Sequence, residues 1–215
     1  MQVKILIADD HDVVREGLKM ILETQGNMLV VGTAADGRDV IGKAEALRPD
    51  VIIMDIAMPE MNGIEATRVL NGCLPAVKVI ILSMHHTLEH IFRAMRAGAY
   101  GYLLKESAGA EIVKAVRTVM KGHHYFGKGI EIQLDINYAK NIEILKDPLD
   151  SLSQREREVL QLVVEGETSA KIARTLSLSP KSVETYRSRL MLKLGVDNIP
   201  SLVKFALLHG ITSAN

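Results

Sequence analysis

Short apolar runs, each closed by a polar residue and parted from the next by helical periodicity, most constrain how this chain folds. Val3 to Ala8 ends at Asp9 and Asp10, Val51 to Met54 at Asp55, Val77 to Leu82 at Ser83, and Tyr100 to Leu104 at Lys105. A fifth run, Met28 to Thr33, leads into Ala34 without a reactive group. Runs this short and this apolar read as strands buried on both faces, the habit of parallel sheets. The segments between them repeat apolar residues at helical spacing, as at Val14, Leu18, Ile21 and Leu22. Alternation of strand and helix implies right-handed crossovers. The expected fold class is therefore α/β, a doubly wound, flavodoxin-like sheet of five parallel strands in the order 2-1-3-4-5. Ligands of such sheets bind beyond the carboxyl ends of the strands, at the switch point between strands one and three.

That rule brings Asp9, Asp10, Asp55, Ser83 and Lys105 to one small pocket. Three carboxylates side by side repel one another unless a cation joins them, and hard oxygen ligands with open positions favour Mg²⁺. Asp10 and Asp55 are expected to ligate directly, the Ala57 carbonyl to be a third ligand, and Asp9 to act partly through water. A carboxylate beside such a metal can accept a phosphoryl group as an aspartyl-phosphate. Lys105 would pair with the phosphoryl oxygens as a point charge. Ser83 would hydrogen-bond the added group only in the modified state, and a contact made in one state alone shifts a two-state equilibrium. Tyr102, on the strand that ends at Lys105, is the candidate aromatic that moves with Ser83. Any one of these acids could be an ordinary turn residue or cap; their coincidence at four strand ends argues otherwise. His85-His86 and His123-His124 have no partners at ligand spacing, and no metal is expected on them.

Residues 1–121 form the first domain in this reading, and residues 122–150 the linker. The linker holds Gly122, Gly127, Gly129 and Pro148, with a weak alternation from Ile130 to Ile136 that suits a short strand or helical turn. Residues 151–215 are helical throughout. Ser153-Gln154-Arg155-Glu156 is a capping box, and its helix runs over Val159, Leu160 and Val163 to Gly166. A short helix follows Thr168 with Ile172, Ala173 and Leu176; Ser179-Pro180 caps and starts a longer one that stops at Gly195. Ile199 to His209 is the last. A short helix, a tight Leu176-Ser177-Leu178 turn and a longer polar-faced helix make a helix-turn-helix.

Charge agrees with such an output. Residues 151–215 carry nine Lys and Arg against six Asp and Glu, whereas residues 1–121 carry 14 against 15. The asymmetry permits nucleic-acid binding. A single cysteine, Cys73, excludes an internal disulfide and fits a reducing compartment. The chain enters a strand at Val3 with no signal-peptide pattern, and no apolar stretch approaches the length of a membrane span. A soluble cytoplasmic protein without membrane contact is expected.

Ala8-Asp9-Asp10-His11, Met54-Asp55-Ile56-Ala57-Met58-Pro59-Glu60-Met61-Asn62-Gly63, Leu82-Ser83 and Leu104-Lys105 resemble the receiver domain of bacterial two-component response regulators. Leu152 to Leu160, Ile172-Ala173, Ser182-Val183 and Lys193-Leu194-Gly195-Val196 resemble the LuxR-type helix-turn-helix. Together they are similar to the NarL/FixJ family. The resemblance implies that a sensor histidine kinase phosphorylates Asp55, and that phosphorylation controls homodimerisation and promoter DNA binding.

On the Ser179–Gly195 helix, Val183, Leu190 and Leu194 repeat at core spacing. The other face offers Lys181, Ser182, Glu184, Thr185, Ser188, Arg189 and Lys193 to DNA. Glu184, Thr185 and Ser188 are expected at base edges, with Glu184 accepting from a cytosine amine, and Lys181, Arg189 and Lys193 at phosphates. A two-fold dimer on inverted half-sites follows from so few base contacts per chain. Leu202 and Phe205 suit either a dimer surface or the domain's own core. The alternative is a receiver-controlled module whose helical domain binds protein instead of DNA. An enzyme is not expected, since nothing beyond the acceptor pocket would hold a substrate.

Overall fold

The computed structural model describes residues 2–84, 87–130 and 148–212. Most of the linker, including 131–136 of the weakly alternating stretch, lies outside the described residues, as does His85-His86. The chain divides into two compact units, Met1–Ile142 and Glu143–Asn215.

In the first unit β1 (Val3–Ala8), β2 (Met28–Ala34), β3 (Val51–Asp55), β4 (Lys78–Ser83) and β5 (Gly101–Leu104) alternate with α1 (Asp12–Glu23), α2 (Gly37–Leu47), α3 (Gly63–Cys73), α4 (Leu88–Ala97) and α5 (Lys105–Val119). All strand pairs are parallel, and the order is β2-β1-β3-β4-β5-β6, where β6 (Tyr125–Phe126) is a short addition at the edge. The period of two explains why the runs had no polar alternation. Leu6, Ala8, Ile52, Met54, Ile81 and Tyr102 point to one face, under Val40, Ile64, Leu70 and Ile91 of α2, α3 and α4. Ile5, Ile7, Val51, Ile53, Ile80, Leu82 and Leu103 point to the other, under Leu18, Leu22, Ile112 and Val116 of α1 and α5. Each central strand is thus apolar on both sides over its buried stretch, and a polar residue closes that stretch at the carboxyl end of the sheet.

The sixth strand falls where the sequence reads as linker. Two residues are too few for periodicity to reveal; tertiary partners make the strand. Tyr125 and Phe126 pair with Gly101 and Tyr102. The buried Tyr125 hydroxyl donates to Glu111 Oε2 at 2.8 Å, and Lys114 lies over the ring at 5.5 Å. Ile130 is fully buried on the Tyr102 face of the sheet.

The described part of the second unit holds a 3₁₀ turn, Pro148–Ser151, followed by α6 (Gln154–Val164), α7 (Ser169–Thr175), α8 (Pro180–Leu194) and α9 (Ile199–Leu208). The first three of these α-helices start at the signals read in the sequence, and the structure adds a cap on the fourth. Ser153 and Glu156 form the reciprocal capping box on α6, and the side chains of Thr168, Ser179 and Asn198 cap α7, α8 and α9. Gly195 ends α8 in the left-handed conformation. Between α7 and α8, Ser177 takes φ of 54°, a left-handed turn that non-glycine residues seldom adopt. Val159, Leu160, Ile172, Val183, Leu190, Leu202 and Ala206 make the core. Leu202 is therefore an interior residue, and Phe205 is partly buried against the same cluster. Among the described residues no helix is long and apolar enough to cross a membrane.

One glycine fixes the floor of the site. A Cβ on Gly63, at the start of α3, would lie 2.0 Å from the Asp55 carbonyl oxygen and 2.8 Å from Met54 Cγ. Alanine at a helix position gains about 1 kcal/mol of propensity over glycine. Overpacking against backbone costs about 1–3 kcal/mol, so the clash wins. Gly63→Ala is expected to lower the urea midpoint of the first unit; an unchanged or raised midpoint would show that the β3–α3 turn can yield.

Candidate functional site

The pocket sits at the carboxyl ends of β1 and β3, where the strand order reverses. Asp9, just after β1, and Asp55, the last residue of β3, are both buried. Lys105 opens α5 directly after β5, its side chain only 14% exposed, and its ammonium lies 2.7 Å from Asp9 Oδ2 and 2.8 Å from Asp55 Oδ2. Those two oxygens have that ammonium as their sole partner among the described residues. Two buried anions therefore share one cation. Asp10 stands at the rim, and His11 closes the corner with Nδ1 2.6 Å from Asp10 Oδ1 and 3.1 Å from Asp9 Oδ1. The His11 backbone N–H also donates to Asp9 Oδ1 at 2.9 Å.

Titration follows from this crowding. Burial pushes the Asp55 carboxyl up to about 6; Lys105 pulls the other way, while Asp9 and Asp10 add to the rise. Burial disfavours the Lys105 ammonium, but Asp55 and Asp9 outweigh it and hold its pKa above the usual lysine range. The Asp10 carboxylate, with the Asp9 hydrogen bond, raises His11. A site with more negative charge than its lysine balances suits a hard divalent cation. Asp9, Asp10, His11 and Asp55 each offer a ligand atom, all within 4.8 Å of one another. The acidic cluster is thus compatible with Mg²⁺. Ala57, half-buried two residues beyond Asp55, lies on the turn that Ile56 anchors by donating its N–H to the Leu82 carbonyl.

Ser83, the last residue of β4, is buried, and so is Tyr102 on β5. The two side chains are hydrogen-bonded to each other. Burial raises the Tyr102 phenol strongly, against that bond, with Asp55 adding to the rise and Arg93 opposing it. Tyr102 is therefore an interior, neutral phenol two strands away from Asp55. Sequence reasoning gave His11 no role, although it directly follows Asp9-Asp10. It also passed over Arg15, whose guanidinium donates to the Asp9 carbonyl at 2.5 Å and pairs with Asp12.

In the second unit, α8 buries Val183 and Leu190 and exposes Lys181, Glu184, Thr185, Ser188, Arg189 and Lys193. Ser182 is half-buried, its hydroxyl 2.9 Å from that of Ser179 at the cap. Thr185 and Ser188 donate to the carbonyls of Lys181 and Glu184, one turn back. Lys193 is engaged within its own domain, 2.6 Å from the buried Glu156. Burial opposes the Glu156 charge, yet Lys193 and the Ser153 donors hold its pKa below the usual range. Glu184 is tied to α7: Ser169 Oγ donates to its Oε1 at 2.5 Å, and Arg187 Nη1 reaches the same oxygen at 3.3 Å. No local sequence pattern announces this link between two helices.

A carboxylate pocket at a sheet's switch point, on one chain with a helix-turn-helix, is the architecture of signal-responsive regulators. The chain belongs to the response regulators with a luxR-family output: the response regulator receiver domain family matches residues 5–117, and the luxR family of bacterial regulatory proteins matches residues 150–206. It is 37% identical over 212 residues to the transcriptional regulatory protein MctR of Rhizobium johnstonii, covering 99% of this chain and 96% of that one. It is 40% identical over 210 residues to the oxygen regulatory protein NreC of Staphylococcus aureus, with 95% and 97% covered. Among solved structures it resembles RcsB of Salmonella enterica serovar Typhimurium bound to promoter P1flhDC with the phosphomimetic BeF₃⁻. That likeness has a TM-score of 0.61 and 28% identity, over 99% of this chain and 100% of that one. The relatives are named as regulators, not enzymes.

The raised Asp55 carboxyl has a stability consequence of definite sign. An acid that binds its proton more readily folded than unfolded opposes folding once both states are ionised. That opposition is absent below about pH 4 and complete above about pH 6. Asp55→Asn should therefore stabilise the metal-free receiver at pH 7.5 by roughly 1–3 kcal/mol, with the gain shrinking toward pH 4. Urea unfolding at the two pH values checks it; a destabilised variant at pH 7.5 would contradict the assigned cost.

Proposed function

We propose that the chain is a DNA-binding transcription regulator switched by phosphorylation of Asp55. The observation that carries this reading is a pair of buried carboxylates, Asp9 and Asp55, sharing the one ammonium of Lys105. In this reading a sensor histidine kinase is the donor. An Asp55 oxygen attacks the phosphorus of a phosphohistidine, the P–N bond breaks, and the departing imidazole takes up a proton, leaving an acyl phosphate. Asp10, Asp55 and the Ala57 carbonyl would hold Mg²⁺, with Asp9 acting partly through water; the ion supplies neutralisation of the phosphoryl oxygens. Lys105 then transfers its contact from the carboxylate to the phosphoryl group.

The switch follows from a hydrogen bond that must be exchanged. Ser83 bonds Tyr102 in the unmodified chain. Turning its hydroxyl to a phosphoryl oxygen on Asp55 would break that bond to the buried phenol. Tyr102 is then driven to a second arrangement, and the two arrangements are the states that phosphorylation biases. For the output, Lys181, Arg189 and Lys193 neutralise phosphates; Ser182, Glu184, Thr185 and Ser188 face the major groove. A two-fold dimer on inverted half-sites places two α8 helices in successive grooves. The promoter complex of RcsB, formed with a phosphomimetic, supports this reading.

With acetyl phosphate and Mg²⁺, wild-type affinity for its operator should rise by roughly 5- to 150-fold, the usual span of coupling between two sites. Asp55→Asn should show no rise in a gel-shift titration. Affinity should also fall steeply with salt, and Lys181→Ala should flatten the log–log slope by about 1. Stimulation that survives Asp55→Asn would refute the acceptor, and a flat salt dependence would favour a protein-binding output.

A further inference from the structure

We infer that Glu184 sets the base preference of the operator by accepting from the exocyclic amine of cytosine, and that Ser169 and Arg187 are the positioning residues that aim it. The inference rests on the DNA-binding reading of α8. Its own ground is the link from α7 to α8. Glu184 lies on the exposed face of α8, its side chain 57% exposed, yet its carboxylate is held by two donors. Both fall on Oε1: Ser169 Oγ at 2.5 Å and Arg187 Nη1 at 3.3 Å. Arg187 Nη1 also donates to Ser169 Oγ at 3.2 Å, which closes a three-membered network. Among the described residues no hydrogen bond engages Oε2. One oxygen is fixed to the protein, and the other is left to accept.

A carboxylate on a DNA-facing helix needs such a reason to be there. Phosphates repel it, and in the major groove it can only accept. The acceptors O6 and N7 of guanine and O4 of thymine oppose it, whereas the N4 amine of cytosine donates to it. Adenine offers its N6 amine too, but beside the N7 acceptor, a pair that an amide side chain matches better than a carboxylate. The Arg187 guanidinium lowers the repulsion by sitting against the same oxygen, and its side chain is only 28% exposed, so it is held in place. Ser169 is the first residue of α7 and contributes its hydroxyl from a helix whose own cap is Thr168. Removing that hydroxyl spares the cap and frees the glutamate to sample other rotamers. A side chain held in one geometry loses less freedom on binding and discriminates more sharply.

The full chain, treated with acetyl phosphate and Mg²⁺, is offered a randomised duplex pool, and base preferences are read from the selected sequences. Wild type should select cytosine at one position of each half-site by about 5- to 150-fold. Glu184→Gln should move that position toward adenine, because an amide pairs with N6 and N7 together. Ser169→Ala should keep cytosine but cut the discrimination several-fold, Ser169→Thr should restore it, and Arg187→Gln should behave like Ser169→Ala. Affinity for non-specific DNA should stay unchanged in the Ser169 variants, whereas damage to the fold would lower both affinities together. If wild type selects a motif and Glu184→Gln selects the same one, this inference is overturned and the regulator reading stands. If wild type selects no motif and ignores the phosphodonor, the regulator reading falls and the inference falls with it.

Discussion

One ammonium between two buried carboxylates organises the receiver. Lys105 reaches Asp9 and Asp55 from the first turn of α5, so the ends of β1, β3 and β5 are tied at a single atom. Charges removed from water cost several kcal/mol each, and one lysine cannot repay two carboxylates. The raised Asp55 carboxyl is the visible residue of that imbalance. The apolar sheet beneath supplies the rigidity that keeps the imbalance from relaxing, because β1 and β3 are packed on both faces and cannot turn their end residues toward water. A pocket held short of positive charge is compatible with a divalent cation, and in the proposed reading such a cation would prepare the carboxylate for a phosphoryl group. Stability and reactivity come from the same crowding, with opposite sign.

The site was legible in the sequence because a parallel sheet turns linear order into spatial order. Each apolar run had to be a strand, each strand had to run the same way, and the residue after each run had to reach the same edge. Asp9, Asp55, Ser83 and Lys105 needed no contact information to be grouped. The helices of the output domain were legible for a different reason: Ser153 with Glu156, Thr168, and Ser179 before Pro180 are local signals that act within one turn. Neither kind of rule reaches β6. Tyr125 and Phe126 form a strand only because Gly101 and Tyr102 present an open edge and Glu111 waits for the phenol. The same limit hid the partner of Lys193, which is Glu156, 37 residues away. Face periodicity places Lys193 on the polar side of α8 and cannot say that the neighbouring helix holds it.

Lys193 and Lys105 illustrate how one residue type serves two ends. Both are cations next to buried carboxylates. Glu156 is satisfied beyond its lysine by the Ser153 backbone N–H and hydroxyl, so its carboxyl is held low. Among the described residues Asp55 has no comparable set of donors, and burial pushes its carboxyl up. A carboxylate surrounded by donors is structural; a carboxylate that burial leaves short of them is available for chemistry. The distinction lies in the donor count around the acid, which is why the sequence, where both read as Lys with Asp or Glu, does not separate them.

Glu184 stands between these cases. Its Oε1 is furnished with donors as Glu156 is, and among the described residues its Oε2 accepts no hydrogen bond. A half-satisfied carboxylate in a solvent-exposed position costs little, because water completes its shell. Binding must displace that water, and the loss is recovered only where the incoming group donates. The donors on Oε1 thereby turn a flexible surface charge into a test of the partner's hydrogen-bond pattern, and the penalty for an incorrect partner is the desolvated lone pair itself. On the DNA-binding reading of α8 proposed above, the negative charge on that helix would weaken DNA binding in general and sharpen it in particular, with the basic side chains of Lys181 and Arg189 supplying the general attraction.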